Sequence, residues 1–386
     1  MRSGWQTRTL SEVCQIKPPK AEARRRLSET DLVSFVPMQD LGIDQKTFVP
    51  TQTKPLAEVA GSYTYFAEGD VLLAKITPCF ENGKLGIAAD LINGIGFGSS
   101  EYIVFRPNKS VNKEWLYYFL SREAFRVEGA AHMSGAVGHK RVAKEFIESY
   151  LIPVPPLPEQ QRLAGILDEA FDGIATAKAN AEKNLQNARA LFESHLHEVF
   201  TQRGPGWVEK TVDQISTNLD SKRIPITKSD RKSGEYPYYG ASGIVDYVAD
   251  YIFEGDTLLV SEDGANLIAR STPIAFSVSG KYWVNNHAHI LKFQNMATQR
   301  FVEFYLESIK LDEYITGAAQ PKLNQKALNS IPIPIPQSID AQAKVVKSIE
   351  LLFNETQRLE SIYQQKLAAL DELKKSLLHQ AFSGKL

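Results

Sequence analysis

Two cysteines, seven histidines and one glycine-rich turn are the places where this sequence could do chemistry of its own. Cys14 and Cys79 form no C-x-x-C pair, and an all-cysteine zinc centre needs about four ligands. Two scattered thiols fit a reducing compartment. His195 and His197 fall on a stretch of helical period, where residues two apart do not face each other, so they make a poor chelate. His287 and His289 would share one face of a strand, which is open to metal geometrically. No carboxylate or cysteine stands beside them in a metal-ligand spacing, and no metal is expected. Gly94-Ile-Gly-Phe-Gly98 is a lone turn, too little for a nucleotide site. There is no G-x-x-x-x-G-K-[ST] phosphate loop, no Asn-Pro-Pro-Tyr or Asp-Pro-Pro-Tyr to grip a flipped adenine, and no Pro-Asp to open a nuclease metal motif. The chain is therefore expected to be no enzyme and to bind no cofactor itself.

The surrounding sequence is ordinary globular material: 386 residues, 43% hydrophobic and 23% charged. That length implies two or three compact units. A formal net charge of −1 announces no global basic field, so a polyanionic partner would have to be met by local patches. Met1-Arg2-Ser3-Gly4-Trp5 leads into polar residues rather than an apolar signal core, and no stretch is long enough to cross a bilayer. A soluble, cytoplasmic protein without membrane contact is expected.

The most informative feature is a long internal repeat. Phe66-Ala-Glu-Gly-Asp70-Val-Leu-Leu matches Tyr251-Ile-Phe-Glu-Gly-Asp256-Thr-Leu-Leu, and Tyr117-Tyr-Phe-Leu120 matches Glu303-Phe-Tyr-Leu306. Leu151-Ile-Pro-Val-Pro-Pro-Leu-Pro158 matches Ile331-Pro-Ile-Pro-Ile-Pro336, and Leu191–Phe200 matches Leu373–Phe382. The order is the same throughout, and the period is far too long for a solenoid. In each repeat, short runs read as strands (34–37, 70–75 and 101–105, then 256–260 and 288–293). A short helix with an aromatic face follows at 112–121 and 299–308. A proline-rich passage is then expected to interrupt regular structure, because each proline fixes φ and lacks an N–H.

Beyond each passage the apolar period becomes helical. Leu163, Leu167, Phe171 and Phe192 belong to the first stripe, and a similar stripe runs from Val345 to Phe382. Each reads as one helix of about 40 residues, roughly 60 Å long. A stripe this narrow needs a partner stripe, which the other repeat supplies, most simply antiparallel. The expected fold is α+β: two mixed α/β domains separated by two long antiparallel coiled-coil helices, a dumbbell.

These residues resemble the specificity subunits of Type I restriction–modification systems. Pro155-Pro-Leu-Pro-Glu-Gln-Gln161 and the helix after it are similar to the family's central region, which opens on a Pro-x-x-Glu-Gln-x-x-Ile-type signature. The ending, Leu370-Asp-Glu-Leu-Lys-Lys-Ser-Leu-Leu-His-Gln-Ala-Phe-Ser-Gly-Lys-Leu386, resembles the distal helix. Gly317-Ala-Ala-Gln-Pro-Lys-Leu-Asn324 resembles the element that closes a target-recognition domain, and Tyr236-Pro-Tyr-Tyr-Gly240 with Gly243 an early motif of such domains. Two departures stand out. Pro336-Gln-Ser-Ile-Asp-Ala-Gln342 only approximates the helix-opening signature, and Gly129-Ala-Ala-His-Met-Ser-Gly135 stands in the first domain in place of Gln-Pro-x-Leu-Asn.

The resemblance implies target-recognition domains at 1–155 and 204–336, a central helix at 156–203 and a distal helix at 337–386. Each domain would read half of a split double-stranded DNA site. The helices would set the spacer and dock two methylation subunits. S-adenosylmethionine, ATP and Mg would act through methylation and restriction subunits, not through this chain. Base edges are read by paired hydrogen bonds, positioned by phosphate contacts. The candidates in the first domain are Lys75, Thr77, Asn82, Lys84, Ser99, Ser100 and Glu101, with Lys140 and Arg141 from a basic segment. In the second they are Ser261, Asp263, Asn266, Arg270, Asn285, Asn286 and His287, with Arg223, Lys228, Tyr239, Lys322 and Asn324. A structural adaptor that organises partners without reading DNA, and a self-contained methyltransferase or nuclease, are the rival readings.

Overall fold

A computed structural model describes residues 4–136, 138–317 and 319–386. Residues Met1, Arg2 and Ser3 of the N-terminal reading, and Ala318 of the closing motif, lie outside the described residues. The chain forms two compact units, Met1–Ala181 with Gln365–Leu386, and Glu182–Gln364.

The first unit holds a five-stranded sheet in the order Cys14–Ile16, Tyr102–Pro107, Val71–Ala74, Leu85–Ala88, Thr47–Phe48. Val71-Leu-Leu-Ala74 is buried throughout, as an apolar run at the centre of a sheet covered on both faces must be. A second sheet orders Gln52–Pro55, Leu32–Val36, Ile95–Gly98 and Thr64–Ala67, its middle pair parallel. The second unit repeats the scheme. Thr217–Asn218, Ala288–Lys292, Thr257–Ser261 and Ala275–Val278 form one sheet, and Gly243–Val248, Ser233–Gly240, Lys281–Val284 and Phe253–Glu254 the other, again with a parallel middle pair. In both repeats a Glu-Gly-Asp turn feeds the central strand. Gly69 (φ 82°) and Gly255 (φ 101°) take the left-handed backbone that a side chain disfavours.

The aromatic helices are Lys113–Ser121 and Met296–Ser308, the second starting ahead of its expected position. Asn112 and Asn295 cap them, accepting from Trp115 N (2.9 Å) and Thr298 N (2.8 Å). The caps lie outside the apolar period, which is why that period located the second helix late.

The proline passages differ from expectation, because both are strands. Leu151–Val154 pairs with Gln6–Thr9, and Pro332–Pro336 pairs with Trp207–Thr211, in antiparallel two-stranded sheets. Pro332, Pro334 and Pro336 alternate with Ile333 and Ile335. An antiparallel partner takes ladder hydrogen bonds only from alternate residues, so the missing N–H groups cost no pairing on such an edge.

The two long helices are Leu157–Thr201 and Ile339–Ser383, 45 residues each. Pro158 sits in the first turn, where its missing N–H is no loss. Gln160 locks the start of the first helix. Its side chain accepts from Asn112 N (2.8 Å) and donates to the carbonyls of Ser110 (2.9 Å) and Pro155 (2.7 Å). Gln342 does the same for the second, donating to Pro336 O (2.7 Å) and accepting from Thr298 Oγ1 (2.6 Å). The approximate signature before Gln342 thus retains the working residue.

In the first unit Leu163 and Leu167 are buried in one cluster with Leu378, Ala381 and Phe382, while Lys178 meets Asp371 (2.5 Å). In the second, Arg189 meets Glu360 (2.8 Å) and Phe192 meets Phe353 (5.4 Å between ring centres). The helices therefore run antiparallel within each unit. Phe171 packs edge-on against Tyr118, with the Lys374 ammonium over its ring. Leu191, which fits the apolar period, is 60% exposed. Each domain also receives a helix-end phenylalanine: Phe382 packs on Trp115 and Phe119, and Phe200 on Phe301 and Tyr305. Cys14 and Cys79 are free thiols, and burial pushes the Cys14 thiol up to about 12. No helix among the described residues is long and apolar enough to cross a membrane.

Candidate nucleic-acid interface

In each domain three segments meet at the end of the central strand, held by main-chain hydrogen bonds that repeat from one domain to the other. In the first, Lys75 N donates to Glu101 O (2.9 Å), Thr77 N to Lys140 O (2.9 Å) and Val142 N to Lys75 O (3.0 Å). In the second, Glu262 N donates to His287 O (2.9 Å), Gly264 N to Pro321 O (3.0 Å) and Leu323 N to Glu262 O (2.8 Å). The bridges Ile76–Arg141 and Asp263–Lys322 complete the match. Lys75 therefore corresponds to Glu262, Glu101 to His287 and Arg141 to Lys322. The first-domain counterpart of Gln-Pro-Lys-Leu-Asn is accordingly residues 139–143, not the 129–135 segment. Those residues share main-chain geometry and the basic–aliphatic pair Arg141-Val142 with Lys322-Leu323, but lack the glutamine, proline and asparagine, so spacing alone misplaced them.

This frame gathers Lys75, Thr77, Ser99, Ser100, Glu101, Lys140 and Arg141 in the first domain. Arg141 grips Glu101 through both arms (2.7 and 2.9 Å), and these hydrogen bonds hold the Glu101 carboxyl below its ordinary value. Lys75 Nζ donates to Ser100 O (3.0 Å), and Ser99 Oγ accepts from Glu101 N (3.2 Å). Asn82 lies exposed on the adjoining turn. Lys84 differs from expectation, because its ammonium is half-buried and bound to Met38 O (2.7 Å).

In the second domain the frame gathers Asp263, Asn285, Asn286, His287, Lys322 and Asn324. His287 Nδ1 stands 2.9 Å from both oxygens of Asp263, and Lys322 reaches Glu262 (3.2 Å). Asn285 Oδ1 accepts from His287 N (2.8 Å), and Asn286 is exposed. Asn324 Oδ1 caps the next helix at Ala327 N (3.0 Å). Lys228 is exposed in a separate loop.

Five candidates have other work. Ser261 is buried and donates to Ala241 O. Asn266 spends its amide on its own loop, with Ser271 and Thr272. Arg270 donates to Leu306 O (3.2 Å) and Ile309 O (2.8 Å), closing the carbonyl end of Met296–Ser308. Tyr239 packs between Phe276 and Tyr282. Arg223, 14% exposed, lies inside a charge network.

That network could not be read from the sequence. Arg223 Nη1 donates to Glu262 Oε2 (2.6 Å) and Ala288 O (2.9 Å), and Nη2 lies 3.6 Å from Asp220. Buried His289 stands between Asp220 Oδ2 (2.5 Å, from Nδ1) and Leu323 O (2.7 Å, from Nε2). A carbonyl can only accept, so Nε2 carries a proton. Burial alone would raise the Asp220 carboxyl, but hydrogen bonds from His289 and the Ile290 amide, with the Arg223 charge, bring it below its ordinary value. Glu262 is lowered likewise, burial being outweighed by Arg223, His289 and Lys322. His287 and His289 do not act as a pair, one lying outside the strand and the other inside the core. Asp220, Glu262 and His289 lie within 4.8 Å of one another, close enough to share a cation. Arg223 and Lys322 already neutralise both carboxylates, so the trio serves as a brace.

A family model, the Type I restriction modification DNA specificity domain, matches residues 2–186 and 205–368. The EcoEI specificity subunit of Escherichia coli, a Type I restriction enzyme subunit, is 40% identical over 163 residues, covering 42% of this chain and 27% of that protein. The EcoAI specificity subunit of the same species is 38% identical over 161 residues, 42% and 27%. The matched part thus spans about a quarter of the length of these curated relatives. Among solved structures, a chain described in work on complex assembly and conformational transition of the type I R-M system superposes with TM-score 0.79 at 16% identity, covering 100% of this chain and 99% of that one. The HsdS subunit from Thermoanaerobacter tengcongensis gives 0.67 at 17% identity, covering 100% and 98%. These two likenesses establish the fold.

Proposed function

Because the chain belongs to the Type I restriction modification DNA specificity domain family, we propose that it is the DNA-recognition subunit of a Type I restriction–modification complex. Domains at 1–155 and 204–336 each read one half of a split double-stranded site through the frame described above. The helices hold the two readers at a set spacing and dock two methylation subunits, and restriction subunits join the same assembly. Methyl transfer from S-adenosylmethionine, and ATP- and Mg-dependent work on DNA, belong to those partners; this chain catalyses nothing.

The observation that carries this reading is the duplication: the family model matches once in each repeat, and each repeat builds the same three-segment frame. A duplicated chain offers two equivalent docking faces, which suits two copies of one partner. A helix of 45 residues, ~68 Å long, exceeds one DNA turn of ~34 Å.

The test is a methylome. The chain is expressed with its methylation subunit in a methylation-deficient host, and modified DNA is sequenced. Adenine methylation at a split motif with a fixed spacer, lost without this chain, is expected. Assembled complex with no such motif would favour the adaptor reading. Deleting one turn from each helix should shorten the spacer, and an unchanged spacer would remove the ruler role.

A further inference from the structure

The frame common to the two domains is filled in one and open in the other. Lys17 N donates to Val104 O, as Leu219 N does to Ile290 O (2.8 Å each), so the segment entering each sheet also corresponds. By this register Pro18 stands for Asp220, Lys75 for Glu262 and Ile103 for His289. In the second domain the guanidinium of Arg223 lies in this space, between acidic side chains. In the first domain the acids are gone, and a cavity of about 420 Å3 opens.

Its lining includes Lys17, Lys20, Lys75, Arg141, Lys144 and Tyr63, and no Asp or Glu among the described residues. Arg141 and Lys144 pair with Glu101 and Glu148, outside the lining. Lys17, Lys20 and Lys75 have no carboxylate within ion-pair distance among the described residues. Lys20 and Lys75 donate to carbonyls, of Gly61 (2.7 Å) and Ser100 (3.0 Å), and each ammonium keeps further N–H groups to give. Lys17 has a left-handed backbone (φ 56°) immediately before two prolines, a strained and rigid mount for an exposed side chain. Burial, together with the charges of Lys17 and Arg24, pushes the Lys20 ammonium down. Like charges crowded around an open space are relieved by an anion.

We propose that this first-domain cleft seats phosphodiester oxygens of duplex DNA, with Lys17, Lys20 and Lys75 as the contacts. The inference rests on the DNA-recognition reading. It adds that salt-sensitive anchoring is concentrated in the first domain, whose counterpart in the second is occupied by the protein's own Arg223.

The test uses the assembled complex and a fluorescent duplex carrying its methylated motif, with binding followed by anisotropy as KCl rises. Each phosphate contact contributes about 0.9 to the slope of log K against log salt. Replacing all three residues (K17A, K20A and K75A together) should make the slope shallower by about 2 to 3, and weaken binding at physiological salt by about 10- to 100-fold. The matching arginine replacements (K17R, K20R and K75R) should keep the slope, separating charge from folding. Removing two exposed lysines elsewhere, K109A with K310A, should leave it unchanged. An unchanged slope in the triple alanine variant, with the methylated motif intact, overturns the cleft but not the recognition reading. An equal loss in K109A/K310A overturns it as a bulk-charge effect, and displacement of the duplex by millimolar dAMP reassigns the cleft to free nucleotide. A wild-type complex that neither methylates a split motif nor binds duplex removes both.

Discussion

In the first domain the three-segment frame sets one carboxylate, Glu101, among Lys75, Lys140 and Arg141. In the second it sets Glu262 and Asp263 against Lys322, His287 and Arg223. The backbone hydrogen bonds are the same to within a few tenths of an ångström, yet the charges differ: Lys75 gives way to Glu262, Glu101 to His287 and Ile76 to Asp263, while Arg141 and Lys322 keep one sign. The lesson is that the frame is main-chain work. Once strand register and the three crossing amides are in place, the outward side chains can change without cost to the fold.

The sharpest way to break the comparison is Arg223→Ala. It removes the guanidinium that Asp220 and Glu262 share, leaving Asp220 to His289 and Glu262 to Lys322, and losing one partner of a buried ion pair costs at most about 3–5 kcal/mol. Lys75→Ala in the first domain, with no such network, should shift stability by no more than about 0.5 kcal/mol. Denaturant unfolding of the two variants checks the contrast, and equal losses would show that the network braces nothing.

A smaller effect separates the helix locks. Gln160→Ala leaves one donor and two acceptors without their partner, and Gln342→Ala one hydroxyl and one carbonyl. Each should cost about 1–3 kcal/mol, with Gln160 the larger. Thermal unfolding would reveal a reversed order. Next, Arg270→Ala should lower stability by about 1–2 kcal/mol through the lost carbonyl contacts, and leave the methylated half-site of an assembled complex unaltered. A changed half-site would return Arg270 to the DNA-reading set.

The smallest effect is acid sensitivity. Asp220 and Glu262 lie below their ordinary values when folded. Their contribution is complete above the unfolded carboxylate range and is lost as pH falls through the depressed folded values, below about pH 4. Asp70 in the first domain is raised by burial against the pull of Arg106, so its sign is opposite, and protonation relieves it. Hydrogen exchange should therefore show Ala288–Lys292 losing protection on acidification before Val71–Ala74, the strand that follows Asp70, does. Simultaneous loss would mean that the brace is not local to the second domain.

What the sequence determined by itself was everything encoded within a short window or by self-similarity: the duplication, the two long helices, the central strands, and the segments holding most frame residues. Apolar period and turn glycines are local signals, legible without partners. Arg270, Asn266 and Lys84 make intramolecular hydrogen bonds that the sequence did not signal, because a polar residue beside a turn looks the same whether it faces solvent or a carbonyl. Tertiary structure decided the remainder. The proline passages became strands only because an edge partner places their missing N–H groups where no ladder bond is needed. Asp220, Glu262 and His289, scattered along the chain, meet through strand register, and Lys17 and Lys20 reach Lys75 by the same means. Long-range register sets which charges share a space, and no single window of sequence contains it.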